Sequence, residues 1–335
     1  MTPVELSRTV LHAVRRAVDA GELTVDVPSR VVVGPPGPGG CGDYATNIAL
    51  QLARPAGRPP LLVAEVLRPH LARAVGVTGV EITGPGFLNI SLDRAAASAA
   101  LVERILEEGT RYGHGTALAG QVFALRVPYD VRAEVLADAL ARIVGSQGGR
   151  VEVEHREPVN LRPVPAPEDP APLGLDAARW ALLHPAPHDR PRVTADHLVQ
   201  REGNPLFRVR YAHARTRAIG RNAADLGFSA RPGDVDGPDT REAASALVTL
   251  LADHPRILGT VAAVPHPDGI AAPSRLTRHL IALADATLVL LPTVLPRGEE
   301  KPSAAHRARL ALAEAAGTVL AGGLNLLGID APDHL

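Results

Sequence analysis

The spacing of apolar side chains changes character twice along this 335-residue chain. In residues 3–20, Val4, Leu11, Val14 and Val18 recur at helical intervals and predict an amphipathic helix. "RVVV" (30–33) predicts a strand. In "GDYATNIALQLA", Asp43 is placed to cap a helix that turns Ile48, Ala49 and Leu52 inward. Prolines 59 and 60 open the next helix. "VEITGPGFLNISL" predicts strand, Gly-Pro-Gly turn and strand. Alternation in its second arm sends Leu88, Ile90 and Leu92 to one face and Phe87, Asn89 and Ser91 to the other.

The pattern shifts after residue 118. "QVFALRV" (121–127), "VRAEVLADALARIVGSQG" and "RVEVE" (150–154) predict strand, helix and strand, a βαβ unit with parallel strands. One such unit cannot bury both faces of its sheet, so it is expected to lean on its neighbours. "RPVPAPEDPAP" (162–172) holds five prolines and predicts an extended linker. From Asp176 the spacing is helical, with helices expected at 176–183, 204–227, 241–253, 274–291 and 303–321. "FSARPGDVDGPDT" breaks the series, and the simplest architecture for this region is an all-α bundle.

Composition narrows the chemistry. Apolar residues make up 46% and aromatic residues 3%, so the cores must be built from Leu, Val and Ala. A net charge of −1 excludes a generally basic coat, and any RNA site must be a local patch. Cys41 is the sole cysteine, which excludes an intramolecular disulfide and a cysteine-cluster metal site and points to a reducing cytosol. The first helix carries Glu5 and Asp19 and lacks the apolar core of a signal peptide. "LIALADATLVLLPTVLP" contains Asp285 and Pro292 and is shorter than a bilayer span, so a soluble cytoplasmic protein is expected. Only one of the 35 basic residues is lysine, Lys301.

Familiar catalytic motifs are missing from the sequence. "VVVGPPGPGGCGDYATN" follows a strand but has neither a Gly-Lys-Ser/Thr ending nor G-x-G-x-x-G spacing, and reads as a surface loop. His184 and His188 stand among prolines in what reads as a loop, and metal binding there is not expected. "NPLFRVRYAHARTRAIGR" (204–221) is more distinctive. Phe207, Tyr211, Ala214 and Ala218 share a stripe that can face a core, and the stretch carries six basic side chains and no acidic one. Either the arginines form a solvated face, or they grip a phosphate backbone with aromatic rings beside them.

"GDYATNIALQLARPAGRPPLLVAEVL" followed by "VEITGPGFLNISL" closely resembles the N-terminal additional domain of arginyl-tRNA synthetases. "DAARWALL" (176–183), "NPLFRVRYAHAR" (204–215), "LADHPRIL" (251–258), "PSRLTRHLIALADA" (273–286) and "AGGLNLLGIDAPDHL" (321–335) are similar to later landmarks of that family, in order. The resemblance implies three parts: an α+β N-terminal domain over 1–112, a short α/β (βαβ) remnant of a class I nucleotide-binding fold with the Pro-rich linker over 118–175, and a C-terminal all-α anticodon-binding (DALR-type) helical bundle over 176–335. The middle departs from the family. "VFALRVPYD" meets "VRAEVLADALARIV" without the family's histidine-bearing loop, and "RPVPAPEDPAPLG" stands where a lysine-bearing loop belongs. His155 and Arg156 follow the second strand but do not replace those loops.

Arginine activation builds charge on departing pyrophosphate, and one stabilising donor is commonly worth about 10²–10³ in rate. The expected function is therefore a non-catalytic, tRNA-binding relative, with the arginine acceptor favoured. The resemblance implies that the N-terminal domain meets the tRNA elbow, where Phe87 and Asn89 are the candidates for base contact. It implies anticodon-stem contact for Arg208, Arg215, Arg217 and Arg221, with Tyr211 either core or stacking platform. His213 is read as a helix–helix contact in preference to a ligand. Arg278, His279, Arg307 and Arg309 extend the basic face, interrupted by Asp285 and Glu314. Two alternatives stay open: an arginine–tRNA ligase using ATP with a partner that supplies the missing parts, and a protein-interaction scaffold that no longer binds RNA. No metal or other cofactor, no membrane and no DNA enter any of these readings.

Overall fold

The computed structural model describes residues 3–235, 237, 240–263 and 272–335, so part of the break expected before residue 241 lies outside the described residues. The chain divides into two compact units, the first ending at Leu101 and the second beginning at Val102. The βαβ segment belongs to the same unit as the helices that follow it.

The first unit contains α1 (Pro3–Asp19), β1 (Val33–Gly34), β2 (Tyr44–Thr46), α2 (Ile48–Ala56), α3 (Pro60–Ala72), β3 (Val77–Thr83), β4 (Phe87–Leu92) and the start of α4 (Arg94–Glu108). Its antiparallel sheet has the order β1-β2-β4-β3. Leu88 and Ile90 of β4 are buried with Leu6, Val10 and Val14 of α1, Ile48 of α2 and Leu67 of α3. The buried stripe of α1 is Leu6, Val10, Ala13, Val14 and Ala17. The expected stripe lies at its edge, which leaves Val4 exposed. Asp43 does not cap α2. Its carboxylate accepts from the Leu92 amide (2.8 Å), which pins the preceding loop to the sheet.

The second unit contains β5 (Val122–Arg126), α5 (Val131–Ser146), β6 (Arg150–Glu154), α6 (Gly174–Leu183), α7 (Pro205–Asp225), α8 (Arg241–Ala262), α9 (Ser274–Leu290) and α10 (Ala304–Leu326). β5 and β6 pair in parallel, as the sequence pattern requires. Asp130 caps α5 by accepting from the Ala133 amide (3.0 Å), and α5 packs on α6 and α8, the neighbours such a unit needs. The chain leaving β6 returns to the open edge of β5. There Asn160 Oδ1 accepts from the Arg126 amide (2.7 Å) and Nδ2 donates to the Ala124 carbonyl (2.9 Å). A side-chain amide thus occupies the ladder positions of a third strand.

The Pro-rich segment is anchored in place and does not act as a free linker. Arg132 of α5 is fully buried, and it donates from Nε to Leu182 O (3.1 Å), from Nη1 to Val164 O (2.6 Å), Pro187 O (3.4 Å) and Asp189 O (2.7 Å), and from Nη2 to Pro185 O (3.2 Å) and Ala186 O (2.9 Å). Burial lowers its pKa, although Asp130 and Asp189 favour the charged form. Six carbonyls from the 164 and 182–189 segments therefore converge on one guanidinium, where their own backbone has no ladder to join.

Helix α8 runs past the expected end at 253, through Pro255, to Ala262. Pro255 has no N–H to offer the Leu251 carbonyl, and the Tyr112 hydroxyl donates to that carbonyl instead (3.2 Å). Helix α10 is central to the bundle and packs on α7, α8 and α9. A Cβ at Gly317 would collide with Thr216, and one at Gly323 with Leu280, so these glycines set how closely α7 and α9 approach. The segment Ser274–Thr293 is long and apolar enough to cross a membrane, yet α9 packs against α7, α8 and α10.

Two histidines sit in this core with unpartnered nitrogens. His254 stacks between Tyr112 (6.1 Å) and His279 (5.3 Å), and His254 Nδ1 and His279 Nε2 have no hydrogen-bond partner. Burial drives His254 well below the usual histidine range and His279 to about 4, with Asp253 opposing the latter shift. Both are neutral in the fold and protonate on unfolding. Stability is therefore fully present above the unfolded pKa of about 6.5 and falls with pH below it, by about 1.4 kcal/mol per unit for each histidine. Urea unfolding between pH 7 and pH 4.5 should show this loss, and His279→Phe should reduce its slope.

Arg132→Met should cost at least about 3 kcal/mol in urea unfolding, because several buried carbonyls lose their donors together.

Candidate nucleic-acid interface

Helix α7 begins where Asn204 caps it. Asn204 Oδ1 accepts from the Leu206 (3.1 Å) and Phe207 (3.4 Å) amides, while Nδ2 holds His197 O (2.9 Å) and Val199 O (3.0 Å). Pro205 takes the first helical position, which requires no N–H. The buried stripe is Leu206, Val209, Ala212, His213, Thr216, Ile219 and Ala223, with Ala214 beside it. The Phe207–Tyr211 stripe is therefore rotated to the rim of the core, and Tyr211 is 38% exposed. This overturns the core reading of Tyr211 and leaves its ring available as a platform.

That rim is one wall of a groove of about 600 Å³ whose other wall comes from Asp285, Leu288 and Val289 of α9 and from Pro292 just beyond it. Phe207 and Tyr211 stack (5.5 Å, 21°), and the Arg215 guanidinium lies 6.0 Å from the Tyr211 ring centre. Arg208 pairs with Asp285 across the groove (3.3 Å), leaving its buried Nε without a partner. The arrangement offers one rigid aromatic face, one cation above it and a carboxylate opposite.

Arg210, His213 and Arg217 of α7 meet acids from elsewhere in the chain. Arg210 pairs with Asp176 of α6 and donates to Asp330 O (3.0 Å). Arg217 pairs with Asp333 (3.1 Å), which also lies 3.5 Å from His213 Nε2. Partial desolvation would raise the Asp333 pKa, but the Arg217 hydrogen bond and charge, with His213, hold it below the usual carboxylate range. His213 Nδ1 meets Gly317 O of α10 (3.0 Å), the expected helix–helix contact. Arg221 approaches only His334 (3.4 Å). Among the described residues, Arg215 and Arg221 have no acidic partner.

Of the residues expected to extend the basic face, only His279 is withdrawn from the surface, while Arg278 is exposed. His279 is buried, Arg278 donates to Ser274 O (3.1 Å), Arg309 to Thr293 O (3.1 Å), and Arg307 lies over the Phe228 ring (5.8 Å). His184 stacks on Trp180 (5.5 Å) and meets Thr277 Oγ1 (3.2 Å), while His188 stands exposed beside Asp189, so the two do not converge.

In the first unit, strand alternation does turn Phe87 and Asn89 away from the apolar core, but only Phe87 is exposed, at 39%. Asn89 is 2% exposed because the glycine-rich loop closes over that face. Its Nδ2 donates to Thr83 Oγ1 (2.7 Å), and a Cβ at Gly40 would stand 2.9 Å from its Oδ1. The expectation that Asn89 faces a base is therefore corrected, since a lid covers the outer face of β4. Cys41 in the same loop donates to the Glu81 carboxylate (3.0 Å), and this bond, with burial and the carboxylate charge, raises the thiol pKa.

Each of the two units contains a match to a known family. Residues 5–92 match the arginyl tRNA synthetase N terminal domain, and residues 209–335 match the DALR anticodon binding domain. The chain carries two domains of the arginyl-tRNA synthetases. An arginine–tRNA ligase from Renibacterium salmoninarum is 44% identical over 168 residues, covering 46% of this chain and 30% of the relative. Those from Paenarthrobacter aurescens and Kineococcus radiotolerans are 42% and 39% identical over the same coverage. The matched region thus spans under a third of these relatives. The fold is that of the Thermus thermophilus arginyl-tRNA synthetase (TM-score 0.63, 15% identity, 100% of both chains) and of the Plasmodium falciparum arginyl-tRNA synthetase (TM-score 0.60, 8% identity, 99% of both).

Sequence reasoning placed Asp285 on the basic face as an interruption, but Asp176 and Asp333 escaped it because they are distant in the chain from the arginines they meet. The helical periodicity of "NPLFRVRYAHAR" was sufficient to set the rim position of Tyr211 only if Leu206, Val209 and His213 were chosen as the stripe.

Glu81→Gln should lower the Cys41 thiol pKa and speed its alkylation by iodoacetamide at pH 7.5, followed by mass spectrometry.

Proposed function

We propose that this chain binds tRNA, with the arginine acceptor favoured, and does not aminoacylate it unaided. The observation that carries this reading is the groove beside α7, where a half-exposed tyrosine backed by a second ring, with an unpaired arginine above it, lies inside a DALR anticodon binding domain. An unstacked base fits an aromatic face of this kind, and the neighbouring cation suits its phosphate. The non-catalytic part rests on the connection from β5 to α5. Only Val127, Pro128, Tyr129 and Asp130 link them, without a histidine, and Lys301 is the sole lysine in the chain. The ligase activity named for the relatives belongs to chains of which the match covers about 30%.

A scaffold reading has an observation of its own, the neutralisation of Arg208, Arg210 and Arg217 by aspartates. It predicts that RNA no longer binds. The ligase reading predicts arginine-dependent ATP–pyrophosphate exchange, alone or with a partner from extract.

Filter binding of an arginine-acceptor transcript and an unrelated tRNA decides among them. The tRNA reading expects tighter binding of the arginine acceptor, affinity that falls with salt, and a loss of about 1–3 kcal/mol in Tyr211→Ala through lost stacking. Arg215→Ala should weaken binding, whereas Arg217→Ala should change it little because Asp333 already holds Arg217. Equal weak binding of both RNAs defeats specificity, and no binding at about 50 mM salt defeats the proposal.

A further inference from the structure

We infer that the solvent face of α1 is a second RNA contact, one that tracks the phosphodiester backbone without reading bases; the inference rests on the tRNA reading above. Arg8, His12, Arg15 and Arg16 recur at intervals of four, three and one residues, and all four are exposed. None of them makes an ion pair or side-chain hydrogen bond among the described residues. This is the reverse of α7, where three arginines are held by aspartates. The helix dipole favours Arg15 and Arg16 near the C-terminal end of α1 but gives no support to Arg8, two turns earlier. From Arg8 to Arg16 the helix rises about 12 Å, long enough to follow several phosphates of one strand.

The chemistry of the opposite face selects the partner. A basic amphipathic helix can also bind an anionic membrane, but it does so by sinking its apolar side into the lipid. The apolar side of α1 is already committed, since Leu6, Val10, Val14 and Ala17 are fully buried in the core of the first unit. Only the charged face remains to bind anything. Arginine offers a planar fork that pairs with phosphate oxygens from a flexible stem, so successive phosphates can be met without base recognition. The face also supplies the first unit with a contact that β4 does not, because Asn89 is closed off beneath the glycine-rich loop.

The test uses the full chain carrying Arg8→Glu, Arg15→Glu and Arg16→Glu together, with thermal melting to confirm that the fold is kept. These side chains point away from the core, so the melting temperature should hold. Binding of an arginine-acceptor tRNA transcript is measured from about 50 to 200 mM salt. The expected result is affinity at least about tenfold lower at the low end and a log–log salt slope less steep by about 2–3, from roughly 0.7–0.9 per phosphate contact. The triple lysine variant should retain most of the parental affinity and slope. A parental slope and affinity in the glutamate variant, alongside weakened binding by Arg215→Ala, overturns this inference and leaves the tRNA reading intact. Failure of the parent to bind tRNA overturns both. Loss of binding to poly-glutamate with tRNA binding unchanged assigns the face to an acidic protein and also overturns it.

Discussion

One guanidinium organises the middle of this protein. Arg132 has five N–H donors and no acidic side chain in contact, and its donors are distributed over six main-chain carbonyls from two proline-rich stretches. Apart from Leu182 in the last turn of α6, these carbonyls belong to chain that has neither helix nor ladder, so without a central donor they would have to stay in water. With it, the chain between β6 and α7 becomes a packed wall that joins the βαβ element to the helical bundle. The charge is retained because carbonyl dipoles surround it, although burial alone acts against it.

The same economy governs the surface of α7. A helix with so many arginines and no acid before its last residue, Asp225, would repel itself and its neighbours. Aspartates from α6, α9 and the chain beyond α10 relieve that repulsion at Arg208, Arg210 and Arg217. What survives as free positive charge is concentrated at Arg215, above the Tyr211 ring, and at Arg221. A formally basic helix thereby becomes a surface with a defined spot for an anion. Glu314 of α10, whose pKa is raised mainly by burial against the pull of Arg217, lies beneath this region close to Gly220.

Much of the architecture was legible in the sequence. The β3–β4 hairpin, the parallel βαβ pair, the proline-initiated α3 and the apolar α9 follow from alternation, helical period and turn chemistry. The misreadings share one cause. Pro255 ends a helix only if nothing else meets the carbonyl it abandons, and Tyr112, 139 residues away along the chain from Leu251, meets it. Asn89 points outward from β4 as alternation requires, but outward is not exposed when a glycine-rich loop lies on top. The five prolines at 162–172 read as a spacer because Arg132, far upstream, carries no local sign of what it will hold. Period and propensity are local properties, and these three corrections came from partners distant in sequence, whereas that of Tyr211 came from the choice of stripe within α7 itself.

Asn160 gives the short parallel sheet a natural end. A two-stranded sheet of this kind would otherwise present the main chain of β5 as a template to any extended peptide, including a second copy of itself. By answering Arg126 and Ala124 with a carboxamide, the chain uses a single side chain where a neighbouring strand would stand. The β5 flank of this pair of strands is thereby closed to strand addition at Ala124 and Arg126 without a third strand beside it.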